Sequence, residues 1–249
     1  MKWGVTIVVL AAVLAAGTAN AAKPKPPRLQ DYCVTKAEKK NAVRFKGSDG
    51  ATLLGLTLGP RSSRRGVVFA HEGAGGLCNW MPYARRLARL GYRVLAFDLR
   101  GFVSSPRTRV RQGRHDLDVV GAVRELRRRG VTRVAVVGGS LGAMAAVAAA
   151  PRITPAVDGI IVASPGLAVR DLDAGAAAPS VRVPALFIAS TDDGEFPSST
   201  RTIYERTAST DKRLVLVPGT RHGYELVLGA DGAPNRALFE EFLAKHLGG

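Results

Sequence analysis

Short, unbroken apolar runs alternate along this chain with longer stretches in which apolar residues recur every three or four positions. The runs at 66–70, 92–97, 133–137, 159–163, 184–189 and 213–217 have the length and composition of buried strands. The periodic stretches at 80–90, 116–129, 198–208 and 234–246 predict helices. Tyr83, Leu87 and Leu90 share one side of the first, and Leu117, Val120, Val123 and Leu126 one side of the second. Gly91 and Gly130 stand where those two helices should stop. Residues 42–46 and 52–58 read as two strands joined by a hairpin turn at Ser48-Asp49-Gly50. Continuously apolar strands alternating with amphipathic helices predict an α/β domain with a mainly parallel sheet covered on both faces. The leading hairpin adds antiparallel strands at one edge. Ligands in such folds gather beyond the C-terminal ends of the strands.

The alternation starts only near residue 41. Before it, Met1-Lys2-Trp3 is positively charged, residues 4–16 are apolar, and Ala19-Asn20-Ala21 is a small-x-small cleavage site. This is the layout of a secretory signal peptide over residues 1–21. The alternative is a membrane anchor, for which the apolar run falls short of the ~20 residues that a span needs. Residues 22–40, with Lys23-Pro24-Lys25-Pro26-Pro27 near their start, are expected to form an extended arm, and residues 41–249 a single domain. Export, to a periplasm or the medium, would place Cys33 and Cys78 where they can oxidise to a disulfide; two unpaired thiols are the alternative.

Composition fits a globular chain, with 46% hydrophobic and 22% charged residues among 249. The formal charge of +16 is mostly arginine, clustered at Arg61/Arg64/Arg65, Arg107 to Arg114 and Arg124 to Arg133. It reads either as attraction to an anionic envelope surface or as compositional bias in an Ala- and Gly-rich chain, and the bias is favoured. No nucleic-acid partner is expected, because the arginines are scattered and no recognition motif is present. No cofactor and no metal site are expected: His and Cys spacings fit no metal site. Gly138 to Ala143 does not fit a dinucleotide-binding Gly-x-Gly-x-x-Gly.

The candidate chemistry lies at strand ends. Gly138-Gly139-Ser140-Leu141-Gly142 follows the run ending at Val137 and opens the small-residue stretch 143–150. A strand, a Gly-x-Ser-x-Gly turn and a helix suit an exposed serine nucleophile in a strained turn, although an ordinary strand-to-helix turn can look the same. A serine needs a base, and the base an orienting acid. Asp192-Asp193 follows the run at 184–189, and His222 follows the run at 213–217. With His71-Glu72-Gly73-Ala74-Gly75-Gly76, Asp98-Leu99-Arg100-Gly101, Asp193 four before Pro197 and His222-Gly223, the chain resembles the α/β-hydrolase superfamily over essentially all its mature length. It is most like the small dienelactone-hydrolase-like and esterase members.

The resemblance implies a triad of Ser140, His222 and Asp193, with Asp192 as the alternative acid. It also implies an oxyanion hole from the backbone N–H groups of Leu141 and Gly73, or Ala74 in another loop register. Two positions depart from the pattern: Glu72 stands where glycine is usual, and Val103 where a second glycine is usual. His71 is expected to anchor its loop, and His115 and His246 to lie on the surface. Trp80, Phe102 and Tyr224 are candidates for either pocket or core. The interval between Ala163 and Pro184 is too short for a large cap domain, so an open cleft is expected. The implied function is an exported serine hydrolase acting on small or polymeric carboxylic esters. The alternatives are a peptidase, amidase or thioesterase with the same triad, and a non-catalytic binding protein of this fold.

Overall fold

A computed structural model describes Met1 and residues 28–29, 32–108 and 112–248. The expected signal peptide and the proline-rich start of the arm lie outside the described residues. The elements run in the order α1 (Lys36–Lys39), β1 (Ala42–Lys46), β2 (Thr52–Leu58), β3 (Arg65–Ala70), α2 (Met81–Arg89), β4 (Arg93–Asp98), α3 (His115–Arg128), β5 (Arg133–Gly139) and α4 (Leu141–Ala149). They continue as β6 (Gly159–Ala163), β7 (Ala168–Val169), β8 (Leu172–Asp173), α5 (Ala174–Ala177), β9 (Ala185–Ser190), α6 (Phe196–Arg206), β10 (Lys212–Val217) and α7 (Ala233–Leu247). Each long apolar run became a strand and each periodic stretch a helix, with ends shifted by two residues or fewer.

Eight strands form one sheet in the order β1-β2-β4-β3-β5-β6-β9-β10. The pairs β1–β2 and β2–β4 are antiparallel and all others parallel. The unbroken apolar runs have a direct cause, since alternate side chains enter two cores. Val134 and Val136 of β5 pack in one core, with residues of α3, α4 and α6. Ala135 and Val137 pack in the other, with residues of α2 and α7. The result is the single-domain α/β fold expected, with the antiparallel hairpin at one edge. In place of a cap domain, the β6–β9 connection holds only the β7–β8 hairpin, α5 and a turn of 3-10 helix.

The arm is not wholly extended. Residues 36–39 form α1, because Thr35 and Glu38 cap each other's backbone N–H groups. Glu38 also accepts a bidentate pair from Arg85 on α2, and Leu29 and Val34 are buried. Cys33 and Cys78 are joined by a disulfide, which ties the arm to the loop ahead of α2. Among the described residues, no helix is long and apolar enough to cross a membrane.

Candidate active site

The turn 138–142 is as tight as its glycines require. A Cβ on Gly138 would overlap the Gly142 backbone, and one on Gly142 would overlap the Ala70 carbonyl. Ser140 sits between them at φ 49° and ψ −113°, a conformation that costs a non-glycine residue roughly 1–3 kcal/mol. Its N–H donates to Ala163 O at 2.8 Å. Leu141 is the first residue of α4, so its N–H has no acceptor within the helix. Ser140, Leu141, Gly73 and Ala74 all line one cavity of about 1150 Å³.

His222 Nδ1 lies 2.8 Å from Asp193 Oδ2. A carboxylate at that distance accepts from an Nδ1–H, which favours the tautomer that carries its lone pair on Nε2. The His222 ring also packs on Phe196, centroid to centroid 4.2 Å. Asp192 is exposed and turned away, accepting from the Thr191 hydroxyl. Of the two adjacent acids, the geometry therefore brings only Asp193 to the histidine. Glu195 and Phe196 from the acid turn and Tyr224 from the histidine loop line the same cavity as Ser140.

The histidine loop is held residue by residue. Ser190 Oγ donates to Arg221 O, the His222 N–H to Glu225, the Gly223 N–H to Ser164 Oγ and the Tyr224 N–H to Glu72 Oε1. Glu72, which departs from the resembled pattern in the 71–76 loop, thus reaches across to the histidine loop. Its Oε2 accepts from Asn79 Nδ2 at 2.9 Å. Side chains at Gly139 or Gly223 would collide with its carboxylate, so it is wedged between the residue before Ser140 and the residue after His222. Burial, at 5% exposure, raises its pKa from 4.5 to about 7 against the opposing pull of its hydrogen bonds and of His222. The carboxylate is therefore engaged with the Tyr224 N–H and Asn79 Nδ2.

His71 is a fully buried anchor, with Nδ1 2.6 Å from Glu72 O and Nε2 accepting the Leu99 N–H. Burial lowers its pKa to about 4, so it is neutral. Trp80 belongs to the core, stacked on Phe69 and donating to Ala70 O. Phe102 and Tyr224 line the cavity. His115 and His246 are not surface residues as expected; both are buried, covered by Phe102 and Phe242 respectively. The sequence did not single out Met144, Val169 and Arg170, which complete the cavity wall. Val169 and Arg170 come from the β7–β8 hairpin, whose two-residue strands leave no periodic signal. Among the described residues, no group of three or more His, Cys, Asp and Glu side chains is placed to hold a metal ion.

Strand order, the tight serine turn and the placement of acid and histidine after later strands together define an α/β-hydrolase-fold protein. A family model described as "alpha/beta hydrolase fold" matches residues 67–180. Among solved structures, an esterase from Pyrococcus furiosus superposes with a TM-score of 0.72 at 18% identity, over 83% of this chain and 91% of that one. A dienelactone hydrolase from Anabaena variabilis gives 0.67 at 21% identity, over 83% and 99%. A proline iminopeptidase from Mycobacterium smegmatis gives 0.66 at 14% identity, over 82% and 98%. No curated protein matches the chain by sequence.

Proposed function

We propose that the protein is an exported serine hydrolase of carboxylic esters. The observation that carries this reading is the conjunction of a strained Ser140 on the cavity wall with the 2.8 Å Asp193–His222 contact on the loops that complete that wall. In the proposed cycle Ser140 Oγ attacks the acyl carbon while His222 Nε2 accepts its proton. Asp193 holds the tautomer and stabilises the imidazolium. The N–H groups of Gly73 and Leu141, at the start of α4, receive the developing oxyanion. His222 then protonates the departing alcohol, and water repeats the sequence on the acyl-enzyme.

Two features support an ester over a peptide. The named esterase and dienelactone hydrolase share the fold over most of their length, and the β6–β9 connection adds a short hairpin rather than a cap domain to the rim of a cavity of about 1150 Å³, giving room for bulky esters. Since a proline iminopeptidase shares it too, the fold alone does not choose the acyl bond. Export is supported by the N-terminal pattern and by the disulfide, a bond of oxidising compartments. A fluorophosphonate probe should label Ser140, and Ser140→Ala should abolish labelling and lower ester turnover ~10³-fold or more. An unlabelled wild type, or an undiminished variant, would overturn the reading. A panel of ester chain lengths beside amide substrates tests the choice of bond.

A further inference from the structure

Two of the arginine clusters that lie far apart in sequence meet at the end of the sheet opposite Ser140. A second cavity, of about 320 Å³, lies where β1 and β4 begin and α3 ends. Its wall is Lys40, Asn41, Ala42, Val43, Thr57, Arg61, Arg93 and Arg129, with four cations and no carboxylate. Arg93 is decisive. It is only 6% exposed, and its guanidinium donates to Gly59 O at 2.6 Å and Thr57 Oγ1 at 2.9 Å. Neither acceptor is charged. Among the described residues, Arg93, Arg61 and Lys40 have no ion-pair partner, while Arg129 shares the single carboxylate of Glu125 with Arg128. Burial lowers the pKa of Arg93 from its ordinary value, and Arg129 and Arg61 push it further the same way. A buried guanidinium without a counter-charge, facing other cations, is costly unless an anion completes the set.

We propose that this pocket is an anion site for a small, soluble phosphate of two or more negative charges, of the pyrophosphate type. Guanidinium forks match tetrahedral oxyanions two bonds at a time, and several converging cations favour multiple charge over a single carboxylate. No exposed large apolar side chain lines the cavity, so an acyl chain has nothing to rest on; this favours the soluble anion over a lipid headgroup. The site is separate from the ester-binding cavity, and none of its residues lines the latter.

The test is calorimetric titration of the full protein with sodium pyrophosphate at fixed ionic strength, with chloride as the matched control. One saturable site is expected. Arg61→Ser, on the surface, should weaken it roughly tenfold, as loss of a charge-assisted hydrogen bond implies. Arg93→Gln should weaken it at least as much. Arg182→Ser removes an exposed arginine outside the pocket and should leave affinity unchanged. Absence of saturable binding beyond the chloride control would overturn the proposal. So would equal losses in Arg61→Ser and Arg182→Ser, which would mean diffuse attraction to a basic protein.

Discussion

Replacing Glu72 with Gln separates the charge of this buried group from its shape. The carboxylate accepts from two donors, the Tyr224 N–H and Asn79 Nδ2. A glutamine offers one oxygen, so its amide nitrogen must confront one of those donors. Asn79 cannot turn to help, because its Oδ1 already holds the Gly76 N–H. The mismatch costs about 1–3 kcal/mol. Where that cost falls on the placement of His222, turnover drops roughly 5- to 150-fold.

Stability should move the other way with pH. The folded pKa of Glu72 is about 7 and the ordinary value 4.5. Its contribution is full below pH 4.5 and is lost as pH rises through 7, a loss of about 3 kcal/mol. Glutamine has no such loss, so the variant should gain on the wild type by up to that amount between pH 4.5 and 8. His71, with its pKa lowered from 6.5 to about 4, has the opposite slope, its stabilisation being lost as pH falls through that interval. The two terms offset each other in the wild type, and the difference between wild type and variant isolates Glu72. The assays are urea unfolding at pH 4.5, 6 and 8 and turnover of a soluble short-chain ester from pH 5 to 9. Wild-type turnover by the variant at pH 8, together with a pH-independent stability difference, would refute the reasoning.

Asp193→Asn should lower kcat by roughly 10³- to 10⁴-fold, since the imidazole loses its fixed tautomer. Asp192→Asn should leave kcat near wild type, because that carboxylate is exposed and turned to Thr191; steady-state kinetics on one ester separates the two acids. Replacing Cys33 and Cys78 together by Ser opens a loop with a sequence separation of 45. In the chain-entropy model this costs about 4 kcal/mol, which at this size lowers Tm by roughly 8–16 °C. Calorimetry with and without reductant checks it, and an unchanged Tm in both would count against a structural role for the bridge.

The fold was legible because both of its periods were written plainly. β3, β5, β6 and β9 are buried on both faces and read as unbroken apolar runs, while α2 and α3 carry polar faces that set the helical period. Legibility failed where the deciding contact was tertiary. The period of α3 shows which side His115 occupies on its own helix, but not that Phe102 arrives from another loop to cover it. The same holds for His246 at the end of α7, although there the covering residue, Phe242, comes from the same helix. The helix α1 is a single turn; its capping pair, Thr35 and Glu38, was the only signal available. Adjacent Asp192 and Asp193 are chemically equal in sequence, and only the direction of the β9–α6 turn separates them.

Glu72 marks the boundary between the two kinds of information. Its departure from glycine was visible, but its partner Tyr224 is 152 positions away. The absence of side chains at Gly139 and Gly223, conspicuous as turn chemistry, is also what makes room for the carboxylate. These contacts form one mechanical path. The disulfide at Cys78 fixes the loop that carries Asn79, Asn79 holds one oxygen of Glu72, and the other oxygen holds the residue two beyond His222. The position of the histidine is thereby tied to the N-terminal arm as well as to its own strand. A glycine at position 72 would leave the Tyr224 N–H without this acceptor and open a void between Gly139 and Gly223. The residue that looked like a departure in the 71–76 loop is, in three dimensions, the joint between that loop, the serine turn and the histidine loop.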